Sequence, residues 1–512
     1  MAWCPRAIGE SSETLRDSQG TAPWLPELPP TVRRSDLPPD RGRAPDTVAL
    51  ALADLPDQQR RDVVRWNPRQ GHLLVVGEPG SGRTTALRTA AAGARQLGWH
   101  VHAVGFDSPP LPMDDLGTVV GVDDPRRLAR LLTLLADRVR TADGARDGHS
   151  AAHEAAGPRQ LVLVDGWEAA LESLDAWGRG GAGRLLLDLL RDGLARGVTV
   201  AAASGATARM AALGGHFHDR LVLGMDAVDQ VLAGVPTELT GLPRRPGRAV
   251  RLRGAEAHEC QIALPDDLSA GSRLVDGPPP LRLRAIPDKV ALSDLVGGDG
   301  PAAGQNLVPV GLGGDDTDVV CVDVSRGALV AGPPGSGRTT ALAVLARGLL
   351  RAGRPVAVVG TDPVLIGVPG VRWASGPADV AALLDELSDA HRGGLEGVDL
   401  LVDDLDVLDH LHPVEAERLA QASAARSTGL RVRLIASART GRAATAYREP
   451  IARLRSVRAG LVLDPLEPGS GDVFGVDLAT VVDPSRAHAA GRGALVHGRE
   501  LTPAQVAGLA PG

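Results

Sequence analysis

A nine-residue string, Pro-Gly-Ser-Gly-Arg-Thr-Thr-Ala-Leu, stands at positions 79–87 and again at 334–342. Identity continues in register beyond it: Gly98 matches Gly353, Val101 matches Val356, Gly105 matches Gly360 and Asp107 matches Asp362. A match that persists past the string marks a duplicated folding unit, so the chain has to be read as two copies. Each string follows a short apolar run, 72–76 or 328–331, that reads as a buried strand. Each is followed by a helical stretch that Gly98 or Gly353 is placed to end, and then by a second strand at 100–104 or 355–359. Strands alternating with helices predict an α/β fold with a parallel sheet in each copy.

Later segments correspond as well. Leu161–Val164 and Leu400–Val402 read as strands running into Asp165 and Asp403. The polar, Gly- and Ala-rich stretch Thr141–Pro158 reads as an insertion in the first copy. Val198–Ala203 and Val432–Ala436 read as further strands, with Ser204 and Ser437 at or near their ends. Each copy closes on a Gly-Arg pair, Gly247-Arg248 or Gly491-Arg492, ahead of an apolar run. The expected organisation is a Pro-rich, partly disordered tail over 1–45, a first module over 46–270, a linker over 271–300 and a second module over 301–512.

The loop Gly77-Glu78-Pro79-Gly80-Ser81-Gly82-Arg83-Thr84 has phosphate-loop spacing, and Gly332–Thr339 repeats it. Such glycines let the backbone wrap so that several N–H groups face a phosphate, and the following helix adds its positive end. The residues expected to bind nucleotide are Gly77, Gly80, Ser81, Gly82, Arg83, Thr84 and Thr85, and Gly332, Gly335, Ser336, Gly337, Arg338, Thr339 and Thr340. Thr84 and Thr339 are expected to reach a nucleotide-bound Mg²⁺, with Asp165 and Asp403 holding its water shell. Arginine stands where lysine is usual. Its rigid, bulky fork is not equivalent to a compact ammonium, which points to slow or partner-dependent hydrolysis. Lys289 is the sole lysine of the chain, so compositional drift is an alternative origin for both arginines.

The second copy is the stronger catalytic candidate. Asp403 is followed directly by Asp404, a carboxylate placed to polarise water, whereas Asp165 is followed by Gly166. Asp403, Asp404 and Arg338 are the expected catalytic set. Glu168 and Asp406 are expected to be solvated acids at a helix start. Ser204 and Ser437 are placed to sense a γ-phosphate, and the run Arg453, Arg455 and Arg458 offers an arginine finger or a solvated basic face.

Bulk properties exclude other classes. The net charge of −7 opposes non-specific nucleic-acid binding. Three scattered cysteines form no disulfide framework. The first residues lack a signal-peptide core, and no uncharged apolar run is long enough to span a bilayer, so a cytoplasmic protein, free or docked on a membrane complex, is expected. Aromatic residues make up 2% against 43% hydrophobic residues, so the cores must be built from Leu, Val and Ala.

These motifs together resemble the FtsK/SpoIIIE family, and within it the EccC-type ATPases of type VII secretion. The resemblance runs over residues 22–508. It rests on Trp24-Leu25-Pro26, on 55–60, on both phosphate loops, on 232–236 and 261–265, on Val402-Asp403-Asp404 and on Gly491-Arg492-Gly493. It implies two tandem RecA-like P-loop NTPase domains, ATP with Mg²⁺, and homo- or hetero-oligomers that move a polymer. In the EccC branch the polymer is a WXG100-type secreted protein, and a membrane-anchored ATPase subunit is the implied partner. This chain resembles only the two trailing ATPase modules of that branch. The family's other branch moves DNA, which makes an ATP-driven DNA translocase the alternative function.

Overall fold

The computed structural model describes residues 25–38, 46–143, 157–205, 214–241, 244–266, 278–295, 306–393, 395, 397–424, 431–448, 450–484 and 486–509. Trp24 and most of the expected insertion lie outside these residues. The duplication seen in the sequence becomes two sheets of one topology. In the first, the strands run in the order Arg60–Trp66, Val48–Leu55, Glu256–Leu264, Arg248–Arg253, Asp219–Leu223, Leu73–Val76, Val198–Ser204, Gln160–Asp165, His100–Val104 and Leu116–Val120. The second has Asp318–Asp323, Leu307–Gly313, Glu500–Val506, Arg492–His497, Ala459–Leu463, Ala328–Ala331, Arg431–Ala438, Gly397–Val402, Val356–Val359 and Arg372–Ala374 in the matching places. Pairing is parallel from Asp219–Leu223 to Leu116–Val120 and antiparallel on the other side. The parallel α/β expectation therefore holds for the half that carries the loops, and each sheet has an antiparallel extension.

Parallel strands need cover on both faces, because their connections are helices laid over the sheet. The helix Arg83–Gln96 covers one face with Ala86, Leu87, Ala90, Ala91 and Ala94. The helices Pro125–Asp143, Trp167–Ala176 and Gly183–Asp192 cover the other. The second module is layered in the same way around Arg338–Arg351. Alanine-rich helices sit close to a sheet, and at one point only glycine fits: a Cβ on Gly93 would collide with Val48, and one on Gly348 would lie 2.6 Å from Val308 Cγ1.

The stretches expected to be tail and linker enter the fold at 25–38 and 281–295. Arg248, from the first Gly-Arg pair, donates to the Leu28 carbonyl at 2.9 Å, and Val32–Arg33 pairs parallel with Ala263 and Leu264. Arg492 makes the equivalent contact, donating to the carbonyls of Ile286 and Pro287 at 3.2 and 3.1 Å. Leu28 and Ile286 are both buried and both precede proline. Each module thus opens with a short leader held by an arginine from its own closing motif. The same inter-module stretch also grips the first module. Arg282 donates to Leu116 and Asp114 carbonyls, and Thr118 Oγ1 both donates to the Leu281 carbonyl and accepts from the Leu283 amide at 3.0 Å.

Among the described residues, no helix is long and apolar enough to cross a membrane.

Candidate nucleotide sites

Each glycine loop sits between the central strand of its sheet and the N-terminus of the Ala-rich helix. Gly80 and Gly82 adopt φ of +79° and +110°, and Gly335 and Gly337 adopt +80° and +97°, a region that L residues with side chains disfavour. A Cβ on Gly77 would lie 2.5 Å from Ser81 Oγ, whereas one on Gly80 or Gly335 would meet nothing within 4 Å. The loops are therefore tight against the sheet and open on the outer side. The first-turn amides of Arg83, Thr84 and Thr85, and of Arg338, Thr339 and Thr340, have no helical carbonyl to bond and are available to an anion.

The closing Gly-Arg motif completes the loop in a way the spacing did not foretell. Gly247 N–H donates to the Ser81 carbonyl at 2.8 Å, and Gly491 N–H donates to the Ser336 carbonyl at 2.8 Å. Both glycines have φ near +80°, and a Cβ on either would crowd Gln261 Nε2 or Gln505 Nε2 at 2.6 or 2.7 Å. The signal was present as the repeated Gly-Arg pair, but its distance from the loop along the chain hid its purpose.

The predicted metal-side pairs come together. Thr84 Oγ1 donates to Asp165 Oδ2 at 2.6 Å, and Thr339 Oγ1 donates to Asp403 Oδ2 at 2.9 Å. Ser81 Oγ and Ser336 Oγ are buried without a hydrogen-bond partner among the described residues. Open glycine loops, unpartnered serine hydroxyls and a hydroxyl–carboxylate pair below each loop fit a nucleotide polyphosphate and its Mg²⁺.

Beyond these pairs the two sites diverge. In the second, Ser437 Oγ donates to Asp403 Oδ1 at 2.5 Å and accepts from the Asp404 amide at 2.8 Å. Asp404 occupies the left-handed region with φ of +47°, where the first module has Gly166 at +93°. Aspartate tolerates this conformation better than most residues. It turns the carboxylate towards Arg338, whose Nη2 lies 2.8 Å from Asp404 Oδ1. The contact is an ion pair and not a hydrogen bond, since Asp404 Oδ1 has no hydrogen-bond partner among the described residues. Burial raises the Asp404 carboxyl above its ordinary pKa, Arg338 opposes the shift, and Asp403 and Asp406 add to it. Two of the three expected catalytic residues thus hold each other. In the first module Gly166 offers Arg83 no such carboxylate, and Arg83 Nη1 points at Gly205, where an added Cβ would lie 2.9 Å away.

The expectation that Glu168 and Asp406 are solvated acids is corrected. Glu168 accepts a hydrogen bond from Ser204 Oγ, and Asp406 is buried and accepts from Arg439 N and Arg439 Nε at 3.2 and 2.6 Å. Both therefore tie the start of the next helix to the neighbouring strand. The solvated-face reading of the basic run also fails for two of its members. Arg453 donates to the Ser423 carbonyl, and Arg455 to the carbonyls of Val473, Ala446 and Asp472, so both staple loops within the module.

Duplicated glycine loops on the parallel halves of two like sheets, each with a threonine–aspartate pair, define a tandem P-loop NTPase fold. No family model matches the chain. Among known proteins it is similar to the ESX-4 secretion system protein EccC4 of Mycobacterium tuberculosis, with 27% identity over 93% of this chain and 42% of the relative. It is also similar to the type VII secretion system protein EssC of Staphylococcus aureus, with 23% identity over 60% of this chain and 23% of the relative. In fold it matches EssC (ATPases 2 and 3) from Geobacillus thermodenitrificans, with a TM-score of 0.66, 16% identity, and coverage of 95% of this chain and 100% of that one. It also matches Thermomonospora curvata EccC (ATPases 2 and 3) in complex with a signal sequence peptide, with a TM-score of 0.57, 20% identity, and coverage of 95% and 97%. The chain is thus similar in sequence to EccC and EssC proteins of type VII secretion, and it has the fold of the second and third ATPase domains of EssC and EccC. It spans less than half the length of the curated relatives it matches.

Proposed function

We propose that this chain is the ATP-binding part of a type VII secretion motor, with one Mg-ATP site in each module and slow or partner-dependent hydrolysis. The observation that carries the reading is the pair of glycine loops seated over Thr84–Asp165 and Thr339–Asp403. When bound, the metal would supply charge neutralisation at the phosphates. Thr84, Thr339, Asp165 and Asp403 would hold it, and the loop amides would hold the phosphates. Slow turnover follows from two features. The first module has Gly166 in place of a second acid, and in the second Asp404 is engaged by Arg338 rather than free to orient water.

The proposed partners are a WXG100-type secreted protein and a membrane-anchored ATPase subunit, with the chain in the cytoplasm against that complex. The Thermomonospora EccC structure holds a signal sequence peptide. In this chain the segment 281–283 lies against the outer strand Leu116–Val120 of the first module, through the Thr118 hydroxyl. The matching outer strand of the second module, Arg372–Ala374, carries an exposed Trp373. We assign the secreted partner's extended segment to that edge. No observation favours DNA.

The test is nucleotide binding stoichiometry and phosphate release with Mg-ATP, on the wild type and on Arg83→Ala and Arg338→Ala. The expected result is one nucleotide per module, loss of one site in each variant, and turnover that is low without partners. A chain that binds no nucleotide sinks the reading and leaves only the fold.

A further inference from the structure

The two modules meet where the helix Pro125–Asp143 and the junction after Trp167–Ala176 face the loop region following Ala459–Leu463 and the hairpin around Asp315. The Trp177 indole donates to the Val482 carbonyl at 2.8 Å, and Arg130 pairs with Asp315 at 2.8 Å. Inside this seam lies a cavity of about 30 Å³. Its wall has three sources: Asp124 and Arg126 of the first module, Ile286 of the inter-module stretch, and Asp483, Arg486 and Arg492 of the second module. A space of that size admits roughly two or three waters, or one small ion. The glycine-loop residues 77–85 and 332–340 are not among its lining residues, so it is separate from the proposed nucleotide sites.

Arg126 is only 8% exposed, yet its side chain forms no hydrogen bond and no ion pair among the described residues. A guanidinium stays charged, so burying one without a partner is costly. Burial lowers its pKa, Asp124, Asp315 and Asp483 oppose the shift from a distance, and Arg130 adds to it. Those carboxylates are committed to other groups. Asp124 accepts from the Arg127 amide at 3.1 Å and pairs with Arg127 Nε at 3.2 Å. Asp315 pairs with Arg130, and Asp483 has a further interaction of its own. The second module brings two more guanidinium groups to the same cavity, and these share one carboxylate: Arg486 and Arg492 each lie 3.2 Å from Asp288 Oδ1. The N-terminal end of Pro125–Asp143, where Arg126 stands, adds positive potential.

We propose that this cavity is a binding site for a small inorganic oxyanion of the phosphate class, held by Arg126 from the first module and by Arg486 and Arg492 from the second. Guanidinium forks match the paired oxygens of such an anion, which a spherical halide does not offer. Because its ligands come from both modules, the bound anion ties the two together across the seam.

Hydrogen–deuterium exchange of the full chain tests this, in a titration of sodium phosphate against sodium chloride at matched ionic strength and pH. In wild type, amide exchange at 126–128 and 481–483 is expected to slow in phosphate, by about tenfold at about ten times the dissociation constant that the titration gives. Reading those amides separates the seam from the glycine loops, which phosphate could also reach. Arg126→Met keeps the aliphatic stem and removes the charge, with circular dichroism checking that the fold is kept. It is expected to exchange at the same rate in both salts at these amides. Equal exchange in phosphate and chloride overturns the proposal on wild type alone, whether or not the variant folds. A phosphate response that Arg126→Met retains also overturns it, since the anion would then act from another site.

Discussion

Arg338 and Asp404 show how one substitution changes what a neighbouring residue can do. A lysine at position 338 would present a point charge, whereas arginine presents a fork that a carboxylate can capture. Asp404, turned inward by its left-handed backbone, captures it. A phosphate bound as proposed would therefore compete with Asp404 for the guanidinium. Replacing Asp404 with Asn should remove the competitor and tighten nucleotide binding at the second site by about tenfold, equivalent to about 1.4 kcal/mol, as read by calorimetry in an Arg83→Ala background. If Asp404 instead serves mainly to activate water, the same variant would lose turnover with affinity unchanged. His72 carries a separate pH dependence. It is buried, its Nδ1 accepts from Val200 N–H, and its Nε2 lies 3.0 Å from the Leu190 carbonyl, so the ring is neutral with its proton on Nε2. Burial lowers its pKa to about 4. The unfolded chain then takes up a proton below about pH 6.5 that the folded chain refuses until about pH 4. Stability should fall as pH drops through that window by about 3 kcal/mol, measured by denaturant melts, and His72→Gln should flatten the slope.

At the scale of elements, the loop, the helix and the closing hairpin act as one unit. Gly247 and Gly491 fasten the phosphate loops from strands that lie far away in sequence. Alanine at either position must adopt φ near +80° beside a glutamine amide, which costs about 1–2 kcal/mol before any loss of function. Gly247→Ala should weaken nucleotide binding in the first module and leave the second intact, and Gly491→Ala should do the reverse. Equal losses at both sites in either variant would mean that the effect is global destabilisation. Arg248 and Arg492 serve the same hairpins by holding the leader segments. Arg492→Ala should release 286–288 and be seen as faster amide exchange there.

Across the whole molecule, two separate pairs of cores are joined by a thin seam. Trp177, packed against the first module's core, joins the second by donating its indole N–H to the Val482 carbonyl at 2.8 Å. Trp177→Ala should split thermal unfolding into two resolved calorimetric transitions, while nucleotide affinity at both sites changes by less than about threefold, within the ±0.5 kcal/mol expected away from a site. A single cooperative transition in the variant would place the coupling in the stretch 281–295 instead.

The repeat alone determined that two α/β units exist, where their glycine loops lie, and that Thr84 and Thr339 stand beside Asp165 and Asp403. These follow from local rules: glycine spacing fixes a turn, apolar runs fix strands, and parallel strand order brings their carboxyl ends together. The antiparallel extension of each sheet was not legible, because short runs such as Val48–Leu55 and Arg60–Trp66 do not say which distant strand they join. Nor was the capture of Leu28 and Ile286 by Arg248 and Arg492, since Pro-rich stretches with little periodicity look alike whether packed or free. The partners of Glu168 and Asp406 were missed for a related reason: an acid at a helix start is favoured by the helix dipole whether or not a serine or arginine from another strand stands beside it. Whether Asp404 faces water or Arg338 depended on one backbone angle and on a side chain placed sixty-six residues earlier. Sequence carried what neighbouring residues decide between themselves; the fold decided every contact whose partners only the sheet could bring together.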